Sequence, residues 1–298
     1  MKFAFSTVSA PTWDFPTLVA RAKEYGYDGI EIRALTDRSA ANPFLSDPAK
    51  LRSLFAGAGI EICCLASSIS MSQDKKKDAA AADELRLYID TAQKLGCPMV
   101  KIFDTQVQPG SVFMPWKGQS RLGAGLAMSN WLTPLADYAG ENGVIIAIEN
   151  ALSFRNAKEL WMVVDRLNHP SVGIAWDLLN AAMVGEFPAY SVPTLNSKIV
   201  YTQVKDAKLG ALGVTYTKLG DGDAQVRNFL RRLRGVGYEG YVTLEWEKAW
   251  LPNLLGPEEI LPDSIKKLRD WDKKLETSDW EADAEAKKPP KPAAAAKH

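Results

Sequence analysis

Histidine is nearly absent from this 298-residue sequence, which holds only His169 and the terminal His298. Zinc centres assembled from several imidazoles are therefore excluded, and any chemistry has to rest on carboxylates, amides and lysines. Cysteine is scarce as well: Cys63, Cys64 and Cys97 are odd in number and two are adjacent. That arrangement argues against a disulfide framework and for a reducing compartment, with the thiols read as small core residues. No stretch approaches the roughly 18 apolar residues that cross a bilayer. The opening MKFAFSTVSAP has an apolar run too short for a signal-peptide core, so a cytoplasmic location is the expectation. An excess of charge of one sign is also missing, with 36 basic residues against 36 acidic. Nucleic acid and anionic membranes need clustered Lys and Arg, so both drop out as partners. A small neutral or modestly charged ligand remains, and the oligomeric state, homo-oligomer included, stays open.

What the chain does have is alternation. Short apolar or β-branched runs at 2–6, 29–33, 61–65, 99–103, 144–149, 172–177, 199–205 and 241–245 read as eight strands. Between them lie segments such as DFPTLVARAKEYG, DELRLYIDTAQKLG and AQVRNFLRRLRGVG, with apolar residues three and four apart and a glycine just past the end, as an amphipathic helix requires. Strands apolar on both faces and separated by helices imply a parallel sheet covered by helices. Eight such units within about 275 residues match an α/β fold of one closed (β/α)8 TIM barrel. An open doubly wound sheet is the competitor, and the lack of a GxGxxG loop after the first strand counts against it. EYGYDGIEIR and GVGYEGYVTLEW echo one another, each linking helix to strand through Gly-Tyr-acid-Gly, the first glycine suiting a left-handed helix cap. The barrel is expected over 1–275. Residues 276–298, rich in Ala, Lys and Pro, read as a disordered tail.

In such a barrel, function gathers at the C-terminal ends of the strands. Those ends carry Glu149, Asp177, Gln203 and Glu245. A carboxylate after VIIAI, GIAW or YVTL loses hydration unless it is paired or binds a cation, and crowded like charges favour a shared proton or a metal. Three carboxylates and an amide oxygen form a hard set suited to Mg2+ or Mn2+.

These same segments carry a resemblance. FAFSTVSAPTW and GYDGIEIR resemble the first two strands, and VIIAIEN, GIAWDLLN, VKDAK and GYEGYVTLEWEK the four metal-bearing segments, of the xylose isomerase-like TIM barrel family of sugar phosphate isomerases and epimerases, over 2 to about 274. The resemblance implies one divalent ion held by Glu149, Asp177, Gln203 and Glu245. It implies proton transfer beside a carbonyl through a metal-stabilised enediolate, with Glu149 and Glu245 removing and returning the proton on a small carbohydrate. Two departures stand out. The family's His-x-His-x-Lys-Asp run is Tyr201 to Asp206 here, with Gln203 at the ligand histidine, and Asn180 stands where histidine is common. Relatives with 3-dehydroshikimate dehydratase activity are similar in using glutamine there, so a lyase on the same scaffold is the alternative. A non-catalytic barrel that binds carbohydrate or protein is another.

Further candidates for substrate contact are Lys101, Asn180, Lys205, Glu31 and Trp116, with weaker claims for Arg155 and Lys208. Glu31 has a second reading, as the partner of Arg33. Trp13, Phe103, Trp176, Trp246 and Trp250 fall at strand ends or loops, where aromatic walls suit a sugar ring. Core packing is the competing reading for each of them and the preferred one for Trp176. Residues 109–123 read as a lid, TKLGDGD at 217–223 as a turn and helix cap, and His169 as structural.

Overall fold

The structure, a computed structural model, describes residues 1–33, 46–107, 118, 120–211 and 213–276. Eight strands close on themselves: β1 (Lys2–Ser6), β2 (Gly29–Arg33), β3 (Glu61–Ala66), β4 (Met99–Phe103), β5 (Ile145–Glu149), β6 (Val172–Asp177), β7 (Ile199–Val204) and β10 (Tyr241–Leu244). Neighbours run β1-β10-β7-β6-β5-β4-β3-β2, and every pairing is parallel. These are the eight strands read from the sequence, with ends shifted by one residue. β3 gains Ala66, β5 begins at Ile145, and β7 and β10 stop at Val204 and Leu244. Lys205 and Glu245 therefore stand just past the strand ends.

Helices cover the outside: α1 (Phe15–Tyr25), α2 (Pro48–Ala58), α3 (Lys75–Leu95), α4 (Arg121–Glu141), α5 (Ala157–Leu167), the short α6 (Leu178–Ala182), α7 (Pro188–Leu195), α8 (Val226–Gly235) and α9 (Pro257–Glu276). Their starts follow local chemistry. The Asp14 carboxylate accepts from Thr17 N at 2.9 Å and a proline follows in the first turn. The echoed Gly-Tyr-acid-Gly segments end α1 and follow α8 in the same way, Gly26 and Gly237 adopting φ of 87° and 73°. No described helix is long and apolar enough to cross a membrane.

Two cores result. The larger lies between the helices and the outer strand faces. The smaller fills the barrel itself with Ala4, Cys63, Cys64, Met99, Ala147, Ala175, Tyr201 and Tyr241. Tyr201, fully buried, takes the room that the alanines leave, and its hydroxyl lies 3.7 Å from Cys63 Sγ. The pairing of β2 with β3 slips between Ile30 and Glu31, a bulge that helps bury two adjacent thiols. All three cysteines are free and buried, as the sequence suggested.

One element was not read from the sequence. β8 (Asp206–Gly210) and β9 (Gly213–Thr217) form an antiparallel hairpin directly after β7. The cap expected from TKLGDGD is also corrected: Gln225 is the N-cap of α8 and makes no side-chain cap bond. The loop is held by Asp206 instead. Its buried carboxylate accepts from Gly220 N at 2.8 Å, Gly222 N at 3.1 Å, Ala207 N at 3.0 Å and Ala224 N at 3.1 Å. Glycine is required at 222, where a Cβ would fall 2.0 Å from Asp206 Oδ1. D206A strands these donors and is expected to lower stability by about 3 kcal/mol or more in urea unfolding, since hydrogen bonds to a charged acceptor are the strong ones. A loss under about 0.5 kcal/mol, the range of an ordinary surface change, would contradict this role.

Candidate functional site

Side chains alternate along a strand, so Tyr201, Gln203 and Lys205 share one face of β7 and its extension, as Glu31 and Arg33 do on β2 and Lys101 and Phe103 on β4. Above the apolar plug at Tyr201 this face becomes a polar layer. Asp177 lies opposite Gln203, and Glu149 opposite Phe103. Carboxylate oxygens of Glu149, Asp177 and Glu245 lie within 4.8 Å of one another, the candidate metal cluster found among the described residues. Glu31, Asp177 and Gln203 are fully buried, and Glu149 and Glu245 are nearly so.

Two ammonium groups are threaded through this layer. Lys101 Nζ contacts the Glu149 carboxylate, donates to Gln203 Oε1 at 2.9 Å and lies 3.4 Å from Glu245 Oε1. Lys205 Nζ donates to Asp177 Oδ2 at 2.7 Å and to Glu245 Oε2, and pairs with Glu247 Oε1 at 3.1 Å. The Gln203 amide is fixed at both ends, because its Nε2 donates to Glu245 Oε1 at 2.9 Å and Glu31 Oε2 at 3.1 Å. Asn180 donates from Nδ2 to Glu149 Oε1 at 3.3 Å, and from its backbone N–H to Asp177 Oδ1 at 2.7 Å.

The structure thus brings Glu31, Lys101, Glu149, Asp177, Asn180, Gln203, Lys205 and Glu245 into one layer. Glu31 is not paired with Arg33; it contacts Gln203 and Lys101, while the Arg33 guanidinium packs on the Phe103 ring and donates to Ser68 Oγ. Trp116 and most of the 109–123 segment lie outside the described residues, as does the tail. Trp176 and Trp246 are buried and serve packing, whereas Trp250 is half exposed. Lys208 pairs with Asp223 and Arg155 donates to Leu152 O, so neither joins the layer. His169 precedes β6 at the opposite end of the barrel, 3.4 Å from Asp137 Oδ1.

Sequence reasoning missed several supports. Asn150 clamps the strand ends, accepting from Asp177 N at 2.7 Å and donating to Asp177 O at 3.0 Å. Asp104 accepts from Leu152 N at 2.6 Å and from Phe154 N, anchoring the segment after β5. Glu247 was missed although it sits two residues beyond Glu245, a spacing that keeps both on one side of the chain.

A sequence-family model described as the xylose isomerase-like TIM barrel matches residues 19–271. The chain belongs to the xylose isomerase-like TIM barrel family. Its fold matches that of an IOLI protein with a bound zinc atom, with a TM-score of 0.75 and 20% identity, covering 92% of this chain and 99% of that one. A probable 3-DHS dehydratase from Bacillus anthracis gives a TM-score of 0.71 at 17% identity, covering 90% and 99%. D-allulose 3-epimerase from Methylomonas sp., in complex with D-allulose, gives 0.68 at 19% identity, covering 91% and 96%. At these identities the likeness establishes the fold. No curated protein matches the sequence.

The donor set of this xylose isomerase-like barrel fits a divalent ion. Four buried carboxylates, Glu31, Glu149, Asp177 and Glu245, face two buried ammonium groups, Lys101 and Lys205, which leaves two negative charges in a layer with little water. The mismatch falls unevenly. Burial, with Glu245 and Asp177 adding to it against the pull of Lys101, pushes the Glu149 carboxyl up to about 7. Burial alone would raise Glu245 too, but Lys205 and Lys101 together outweigh it and hold that carboxyl down to about 2. Away from the cluster, burial pushes Asp104 up to about 7 in spite of its two backbone donors.

The sign of the resulting pH dependence follows. Glu149 and Asp104, raised to about 7 in the fold, make the native chain hold more protons than the unfolded chain between about pH 4 and pH 7. In a chelator, stability is therefore predicted to fall as pH rises through that window. The depressed Glu245 acts in the opposite direction and only at more acid pH. E149Q is expected to flatten the slope in thermal melts from pH 5 to pH 8, and an unchanged slope would remove Glu149 as its source.

Proposed function

We propose that this barrel is a divalent-metal-dependent isomerase or epimerase of a small sugar, sugar phosphate or keto sugar. The observation that carries the reading is the convergence of Glu149, Asp177 and Glu245 within 4.8 Å at the C-terminal end of the strands. Supporting it are the family membership and a structural neighbour described as an epimerase in complex with D-allulose. Glu149, Asp177 and Glu245 would hold the ion, with Gln203 Oε1 as the fourth donor. An all-oxygen set of this kind favours Mn2+ or Mg2+. The ion would supply electrophilic polarisation of a substrate carbonyl oxygen.

The protein groups divide the remaining work. Glu149 and Glu245 are buried carboxylates from different strands that meet in the same layer. Such a pair suits removal of a proton from the carbon beside a carbonyl and its return. Return to the opposite face inverts that carbon; return to the neighbouring carbon isomerises the sugar. Asn180, bonded to Glu149 Oε1, orients that carboxyl, and the plug at Tyr201 closes the site from below.

A second reading is a lyase, favoured by the two buried ammonium groups. Lys101 and Lys205 are hydrogen-bond donors able to assist departure of a β-hydroxyl after the same proton removal. A neighbour described as a probable 3-DHS dehydratase is consistent with it. One screen addresses both: Mn2+-loaded protein in D2O with ketoses, sugar phosphates, inososes, 3-keto glycosides and dehydroshikimate, followed by NMR. Deuterium at carbon in a rearranged product is the expected result, and an unsaturated product selects the lyase. E149Q and E245Q are each expected to lower turnover by about 10²–10⁴ without loss of fold, the usual share of a general acid or base. Retention of near wild-type turnover by both variants would refute their roles.

A further inference from the structure

We propose that Lys205 is an internal cation competing with the metal for Asp177 and Glu245, and that Glu247 is the carboxylate that receives it when the metal binds. The inference rests on the metal reading above. Both oxygens of Asp177 are engaged: Oδ1 accepts from the backbone N–H of Asn180 at 2.7 Å, and Oδ2 accepts from Lys205 Nζ at 2.7 Å. Glu245 is equally committed, with Oε2 on the same ammonium and Oε1 accepting from Gln203 Nε2 at 2.9 Å. A small divalent cation approaches a carboxylate oxygen to about 2.0–2.2 Å. An ammonium group left on those oxygens would then lie only a few ångströms from it, in a layer where water does little to screen the repulsion.

Lys205 has somewhere to go. Glu247 Oε1 already lies 3.1 Å from Nζ, and its side chain is 24% exposed, against 3% for that of Lys205. A short swing toward the mouth keeps this ion pair while freeing Asp177 Oδ2 and Glu245 Oε2. Lys101 has no such outlet among the described residues. Its carboxylate contacts are Glu31, Glu149 and Glu245, all within the buried layer. The metal-free protein is thus held together by the same ammonium that the metal displaces, which keeps its buried carboxylates paired until an ion arrives.

Calorimetric titration of the full-length, chelator-treated protein with Mn2+ alone, together with melting curves in chelator, tests the exchange. K205M is expected to bind Mn2+ about tenfold more tightly, within the usual ~5–150-fold span of coupling between sites. It is also expected to melt lower in chelator and to gain more from saturating Mn2+. E247Q is expected to bind Mn2+ about tenfold more weakly while melting in chelator near the wild type. The double variant separates exchange from a simple field effect: E247Q should have no further effect in the K205M background, whereas additive changes would refute exchange. Unchanged or weaker binding by K205M, with wild-type binding intact, overturns the proposal. Should K205M fail to fold, unchanged affinity in E247Q overturns it equally. If neither wild type nor variants bind Mn2+, the metal reading itself has failed, and the exchange with it.

Discussion

The confinement of four carboxylates with two ammonium groups, in a layer sealed below by Tyr201, governs the rest of this structure. In water such charges would cost little to hold apart. Inside a barrel each must find a counter-charge or a donor, and the hydrogen-bond network around Gln203, Lys101 and Lys205 is the arrangement that does so. Two negative charges are left over and fall unevenly: burial, with Glu245 and Asp177 adding to it, pushes Glu149 toward its neutral form, while Lys205 and Lys101 hold Glu245 ionised. The same imbalance is what a divalent cation would relieve. Stability and the proposed chemistry are therefore coupled through one set of atoms.

The scaffold serves that layer by fixing strand ends. Closure of eight parallel strands brings residues from 31 to 245 to one level, and three polar anchors then hold the connecting segments. Asn150 ties β5 to β6, Asp104 holds the segment after β5, and Asp206 gathers the backbone N–H groups before α8. Each anchor satisfies donors that would otherwise be orphaned at the edge of a buried site. The plug beneath fills the barrel below that layer with buried side chains.

Much of this was legible in the sequence, and for a definite reason. Runs such as VIIAI and GIAW are apolar on both faces, which only a covered strand tolerates, so strand positions were readable to within a residue. A carboxylate terminating such a run marks itself, and Glu149, Asp177 and Glu245 were visible that way. Pairings were not. For Glu31 the sequence offered substrate contact or pairing with the nearby Arg33, yet barrel closure gives it to Gln203 and Lys101 across the layer. The hairpin at 206–217 escaped notice because its residues alternate without a strong apolar face. Glu247 escaped because a carboxylate just past a strand reads as solvated until the ammonium it faces is known.

With Gln203 and Tyr201 at the two positions where the resemblance leads one to expect histidine, this chain has a layer of oxygen groups over an aromatic plug. Binding of a divalent ion in that layer is the central claim. Crystals of the protein soaked in Mn2+, with anomalous diffraction recorded at the manganese edge, test it directly. One peak per chain is expected, bonded at about 2.0–2.3 Å to oxygens of Glu149, Asp177 and Glu245 together. A saturated soak with no peak among these three carboxylates, or a peak touching only one of them, would contradict it.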